Sequence, residues 1–258
     1  MIKELPFKIG TTSYVYPDDI LPNVHKLKDK VNDIELVLFE ADNAGNIPTQ
    51  KGLKELKSIS NKWGLTYTVH LPLDINLGSD RDEERRRSAE SARVLIERLS
   101  VVNPYAYILH LNMHRKAVKN LRSWQGRVSE SLKKIIEGQK PIANNIAIEN
   151  LSYPFGYVDS LITNNDFSVC VDIGHLIAMG VDPLKHLKKY FSMTRVIHLH
   201  GVNERKDHVS LKYLDTRLIK HLIRFLKNNI WRGVLTVEVF SQTDFEESMD
   251  ILWENLYS

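Results

Sequence analysis

Eight short apolar runs, each of strand length and each followed by a segment with helical periodicity, constrain this chain more than any other feature. They occupy residues 7–12, 34–40, 65–70, 105–110, 145–149, 168–172, 195–200 and 234–240. Parallel strands need a helical crossover, and runs rich in Val, Ile, Leu, Thr and Tyr suit strands covered on both faces. Eight such units in 258 residues, with no glycine-rich phosphate fingerprint after the first, favour an α/β fold closed as a single (β/α)8 TIM barrel over residues 1–258. The alternative is an open doubly wound sheet.

The intervening segments carry helix signals. Thr49 precedes Leu53, Leu56 and Ile59, with Gly64 placed to end that helix. Ser79 is expected to cap a helix carrying Ala89, Ala92, Leu95, Ile96 and Leu99. Thr243-Asp-Phe-Glu246 has the form of a capping box ahead of the stripe Phe245, Met249, Leu252 and Trp253. No linker or low-complexity tract divides the chain.

The last residues of the runs share a chemistry. His70, His110, Glu149, Asp172, His198 and Glu238 close the third to eighth, and Glu40 closes the second. A barrel brings the carboxyl ends of all its strands to one face, where active sites sit, whereas an open sheet would spread them along a line. By strand parity Thr68, Ile108, Ala147, Cys170, Val196 and Thr236 face the same way and are expected to fill the layer beneath, with charge confined to the final inward positions. His200 also faces inward, with no role assigned.

Carboxylates and imidazoles gathered in a buried place repel and lose hydration unless a cation joins them. A divalent metal at the C-terminal face is therefore expected. Mixed nitrogen and oxygen ligands suit Zn2+, with Mn2+, Fe2+ or Co2+ as alternatives, and the absence of thiolate ligands argues against a purely structural zinc site. The one cysteine, Cys170, reads as core packing rather than nucleophile.

Composition narrows the setting. With 43% hydrophobic and 26% charged residues and no apolar run near the ~18 residues of a membrane span, a globular protein without a membrane role is expected. The opening Met1-Ile-Lys-Glu lacks the apolar core of a signal peptide, and a lone cysteine suits a reducing compartment, so a cytoplasmic location is expected. A formal charge of +3 gives no sign of a nucleic-acid partner and fits a small anionic substrate. Arg81 is the arginine best placed to reach a phosphate from the rim. Arg85, Arg86 and Arg87, beside Glu83 and Glu84, read as a solvated helix face. Tyr14, Tyr16, Phe39, Tyr153, Phe155 and Tyr157 are candidates for the wall of a pocket taking a large flat ligand.

These residues resemble the xylose isomerase-like TIM barrels. A Glu in Ile148-Glu149-Asn150, an Asp in Val171-Asp172-Ile-Gly-His175, a His after the seventh strand and a Glu after the eighth match that superfamily's one-metal core. His70, His110 and His175 look like its apurinic-endonuclease branch, which implies a cluster of two or three ions. Within that resemblance Glu149 bridges metals, His198 and Glu238 complete the core, and His70, His110 and His175 hold further ions. Where the branch has a downstream Asp-x-His, this chain has Lys206-Asp207-His208; His208 is the expected ligand and Asp207 the alternative.

Ile9-Gly-Thr-Thr-Ser-Tyr14, Asp33-Ile-Glu-Leu-Val-Leu-Phe-Glu40 and Thr66-Tyr-Thr-Val-His-Leu-Pro-Leu-Asp74 are most similar to cobamide-remodelling phosphodiesterases of the CbiR type. That resemblance implies hydrolysis of a phosphodiester in the nucleotide loop of a cobamide, for corrinoid salvage. Glu149 is then expected to orient the attacking water, with Asp207 or Glu40 assisting proton transfer, and Arg81, Tyr14, Tyr153 and Phe155 to contact substrate. The alternatives are a sugar or sugar-phosphate isomerase or epimerase using one metal, an endonuclease acting on abasic DNA, and a binding protein without turnover.

Overall fold

The computed structural model describes residues 5–41, 47–137, 140–204 and 206–257. Eight parallel strands close into one barrel in sequence order: β1 Lys8–Thr12, β2 Asp33–Val37, β3 Thr66–His70, β4 Tyr107–Leu109, β5 Ile146–Glu149, β6 Ser168–Asp172, β7 Thr194–Leu199 and β8 Val234–Val237. The helices between and after them are α1 Ile20–Leu27, α2 Gln50–Trp63, α3 Asp82–Leu99, α4 Leu121–Ile136, α5 Asp159–Thr163, α6 Ile173–Ala178, α7 Pro183–Tyr190, α8 Thr216–Asn228 and α9 Gln242–Tyr257. None of the described helices is long and apolar enough to cross a membrane.

Helix ends follow local chemistry. The Thr49 side chain accepts from the Gly52 amide, and Gly64 ends α2 in the left-handed conformation at φ 66°. Two caps differ from the sequence reading. Ser79 lies two residues before the N-cap of α3, Arg81; its hydroxyl accepts from the Arg81 amide and donates to Glu84. At α9 the capping hydroxyl is that of Ser241, which accepts from the Asp244 amide at 3.1 Å and donates to the Asp244 carboxylate at 2.6 Å. The predicted box at Thr243 and Glu246 starts two residues too late, because Ser241 with Asp244 offers the same spacing two residues closer to the strand.

Two apolar cores follow from the alternation of side chains along each strand. Outward residues such as Ile34, Leu36, Tyr67, Val69, Ile146, Ile148, Val169 and Val171 pack against the helices, while Ala106, Ile108, Ala147, Cys170 and Val196 form a separate cluster inside the barrel. The expected layer beneath the strand ends is present: Thr68, Ile108, Ala147, Cys170, Val196 and Thr236 are all buried. Burial pushes the Cys170 thiol well above its ordinary range, which fits a packing role.

Charge is not confined to the strand ends. Asp33 and Glu35 on β2 project into the barrel interior, both fully buried. Asp33 accepts hydrogen bonds from the Thr66 hydroxyl (2.6 Å), the Thr68 hydroxyl (2.9 Å) and the Thr68 amide (3.2 Å). Burial nevertheless dominates and raises its carboxyl to about 6.

A raised carboxyl makes the folded state hold its proton longer than the unfolded chain does. The stability it costs is absent below pH 3.8, grows as pH rises toward about 6 and is complete above that. Asp33→Asn is expected to gain on the order of 1–3 kcal/mol over wild type at pH 8 and little at pH 4. Paired urea denaturations at the two pH values measure this; equal differences at both would show that Asp33 does not carry the effect.

Candidate metal centre

Each strand from β3 to β8 delivers a ligand-type side chain to the C-terminal face of the barrel. His70 and Asp172 are the last residues of β3 and β6, Glu149 closes β5, His198 sits near the end of β7, and His110 and Glu238 directly follow β4 and β8. The register pairs Asp172 with His198 and Glu149 with Cys170, so neighbouring ends lie level. Asn150 fixes the β5 and β6 ends: its side chain accepts from the Asp172 amide at 2.8 Å and donates to the Asp172 carbonyl at 3.0 Å.

Glu149 is the common member. Its Oε2 lies 2.8 Å from His110 Nε2 and 3.4 Å from His70 Nε2, and its Oε1 lies 3.4 Å from His175 Nδ1 and 3.6 Å from His198 Nδ1. Among the described residues, ligand-type atoms gather within 4.8 Å of one another in four overlapping groups. The first is His70, His110 and Glu149. The second is Glu149, Asp172, His198 and Glu238, and Glu149 and His198 also meet Cys170. The last is Asp172, His175, His200 and His208.

His208 reaches the last group by an unusual route. The chain leaves β7, turns, and forms an antiparallel bridge between Gly201 and Val209. His208 takes the left-handed conformation at φ 53°, which aims its ring inward, with Nε2 3.4 Å from Glu238. A side chain on Gly201 would meet the Ser210 carbonyl at 2.1 Å, so the bridge requires glycine there.

The electrostatics of the site favour positive charge. Burial favours neutral imidazole, yet the Glu149 carboxylate raises His70 to about 9, and Glu238 likewise raises His208 to about 9. Burial also favours neutral carboxyls, but His110 and His198 hold Glu149 well below its usual range, and His198 and His208 do the same to Glu238. His198 Nδ1 and Glu238 Oε2 are buried 3.0 Å apart, and neither makes a hydrogen bond to a described residue. Two such atoms facing each other, backed by carboxylates and imidazoles, fit a divalent cation of the zinc, manganese or iron type.

The structure sorts the other expected site residues. Tyr14 lines the cavity above the cluster. His208 joins the cluster, whereas the Asp207 carboxylate is exposed and touches the outer edge of that ring, 3.2 Å from Nδ1. Glu40 does not close β2, which ends three residues earlier at Val37; it is exposed and outside the ligand groups. Arg81 is exposed at the start of α3 and does not line the cavity. Tyr153 and Phe155 are buried instead of forming a wall: the Tyr153 hydroxyl donates to the Leu111 carbonyl at 2.9 Å, and Phe155 packs on His186 and Tyr190.

The cavity encloses about 810 Å3. His70, His110, Glu149, His175, His208 and Glu238 form its floor, and Tyr14, Tyr16, Phe39, Leu73 and Phe240 its apolar sides. Phe39 packs against Tyr14 (4.7 Å between centroids) and Phe240 (6.3 Å). Sequence reading missed Phe240, counted as strand, and Glu35, whose Oε2 lies 2.9 Å from His198 Nε2 with both groups fully buried.

Among the described residues, six histidines and three carboxylates converge at the C-terminal face of this closed parallel barrel, where they could hold a divalent metal. This chain belongs to the xylose isomerase-like TIM barrel family, whose model matches residues 30–255. Its fold is similar to that of a D-tagatose 3-epimerase-like protein (20% identity, TM-score 0.81, 97% of each chain covered). It is also similar to endonuclease IV from Thermus thermophilus (14% identity, TM-score 0.73, covering 97% of this chain and 99% of that one). A third likeness is to the IolI protein with a bound zinc atom (11% identity, TM-score 0.74, covering 97% and 98%). At these identities the likeness is one of fold. No curated protein matches the sequence.

Proposed function

We propose that this chain is a metal-dependent hydrolase that cleaves a phosphodiester in the nucleotide loop of a cobamide, using two or three divalent ions, with zinc the best fit. The observation that carries the reading is the set of histidines beyond the four-residue group. A single ion would be served by Glu149, Asp172, His198 and Glu238, yet His70, His110, His175 and His208 also point into the same space. Endonuclease IV, a phosphodiester-cleaving enzyme by name, shares the fold.

Bound cations would neutralise a phosphodiester and make water nucleophilic at neutral pH. Among the described residues lining the cavity there is no lysine or arginine, so in this proposal the substrate's charge falls to that centre and not to Arg81. Glu149 would orient the attacking water, a role supported by its reach to both the His70–His110 pair and His198. Asp207 steadies His208 from outside, and Glu40 carries no role in this proposal. The aromatic collar of Tyr14, Phe39 and Phe240 offers a flat ligand an apolar seat beside the centre.

Incubating metal-loaded protein with an adenosylated cobamide should yield a cobinamide phosphate and the α-riboside of the lower base by mass spectrometry; intact cobamide after long incubation would end this reading. Phe39→Ala and Phe240→Ala are each expected to raise KM about tenfold with kcat held within about twofold, since each ring contributes on the order of 1 kcal/mol of stacking. A fall in kcat alone would place the rings elsewhere in the reaction.

One observation favours a second reading, a sugar isomerase or epimerase: Glu149 and Glu238 both approach His198 Nδ1, at 3.6 and 3.0 Å, as a carboxylate pair around one ion would. One tightly held ion, retained by His70→Ala and His110→Ala, would move the assignment there.

A further inference from the structure

His200 has no assigned role, yet it is fully buried at the edge of the ligand cluster. Its Nε2 lies 3.1 Å from Oδ1 and 3.2 Å from Oδ2 of Asp172. Its ring stacks on His208 at 4.0 Å and 16° and meets His175 edge-on at 5.6 Å. Asp207, the acid nearest in sequence to this corner, is turned to the outside of His208. Three imidazoles and the Asp172 carboxylate therefore face one another here, with Glu149 and Glu238 reaching the outer two, His175 and His208, at 3.4 Å each.

The device that aims His200 is repeated at a second strand end. His70 turns its Nδ1 to the carbonyl of the next residue, Leu71, at 2.9 Å, which leaves Nε2 directed at Glu149. His200 does the same with the Gly201 carbonyl at 3.1 Å, leaving Nε2 directed at Asp172. An Nδ1–H held by a backbone carbonyl is the arrangement that frees the other nitrogen's lone pair for a metal. Nδ1 has a competing partner, because the His208 amide lies 3.0 Å away and can donate to it only when Nδ1 is unprotonated. The two partners thus select opposite tautomers, and the Gly201 carbonyl selects the one able to ligate.

The site has also been cleared for this ring. A side chain on Gly174 would stand 2.1 Å from His200 Cε1 and 2.5 Å from both ring nitrogens, so residue 174 must lack one for His200 to occupy its place. Gly174 lies between Asp172 and His175, two members of the same group.

We propose that His200 is a metal ligand through Nε2 and that, with Asp172, His175 and His208, it builds a separate cation site of three imidazoles and one carboxylate at the β6–β7 corner of the barrel mouth. This rests on the reading of the cluster as a centre for several ions and is independent of which phosphodiester is cleaved.

The test uses the full chain stripped with chelator, reloaded with Zn2+, freed of excess by gel filtration and counted by plasma mass spectrometry. Wild type is expected to hold three ions per chain. His200→Ala and His200→Asn are each expected to hold two, as is Gly174→Ala, which displaces the ring without removing it. Ring 15N shifts of His200 in zinc-loaded wild type read the same claim without substitution: Nε2 should be metal-bound and Nδ1 protonated. Wild type holding two ions or fewer, variants that fold and keep three, or a free His200 Nε2 in the loaded protein would each overturn the site. Wild type holding three ions while leaving cobamide intact would remove the substrate assignment and leave this site standing.

Discussion

Glu149→Ala is expected to empty most of the centre and to lower turnover by about three orders of magnitude or more. Glu149 belongs to three of the four ligand groups, and its two oxygens face His70 and His110 on one side and His175 and His198 on the other. Removing it takes away a ligand atom and also the carboxylate charge that favours cation uptake by the surrounding imidazoles. Metal charge stabilisation is worth several kcal/mol, and each 1.36 kcal/mol is tenfold in rate. Glu149→Gln, of nearly the same size, should preserve the fold yet share the loss, which separates charge from packing. The measurements are ions per chain and the rate of the proposed cobamide cleavage; a Glu149→Ala protein with full metal content and near-normal turnover would refute the central place given to this residue.

The second large effect concerns Glu35, which is not among the residues lining the cavity above the cluster. Its Oε2 lies 2.9 Å from His198 Nε2 inside the barrel, and a carboxylate there can only accept, so it holds a proton on Nε2 and makes Nδ1 the nitrogen available to a cation. Nδ1 is the atom that faces Glu149, Asp172 and Glu238. In Glu35→Gln the amide can donate to Nε2, favouring the tautomer with its proton on Nδ1, where the cation should bind. Metal affinity at that group is expected to fall about 10–100-fold, the usual cost of losing such a supporting carboxylate. Competition titration with a chromophoric zinc chelator reads the change, and circular dichroism checks that the fold persists. Unaltered affinity in Glu35→Gln would show that His198 chooses its tautomer without this partner.

The centre was legible where it depends on strand ends, because side chains alternate strictly along a strand and a barrel forces its carboxyl ends together. His70, His110, Glu149, Asp172, His198 and Glu238 follow from those two rules. Glu35 and Asp33 escaped because an acid below the strand end means something only through its partner on another strand. Thr68 lies 33 residues after Glu35 in sequence, and the register that joins their strands is not written locally. Glu40 was misplaced because Leu38 and Phe39 continue the apolar run beyond Val37, where the strand itself ends. Tyr153 and Phe155 lie close to Glu149 in sequence but fold beneath the loop, where one finds a carbonyl and the other two rings. His208 reaches the cluster through a left-handed backbone that its residue type does little to announce.

The ring of ligands is lopsided. Strands β3 to β8 all contribute to it, while β1 and β2 contribute none at their ends and are followed by Tyr14, Tyr16 and Phe39 instead. Under the proposed function, reactivity and selectivity would thereby be written in separate stretches of the gene. If the proposed function holds, substitutions confined to the segments after the first two strands would change the molecule that is admitted while bound ions stay in place, so a barrel of this plan could diverge toward new substrates without passing through an inert ancestor.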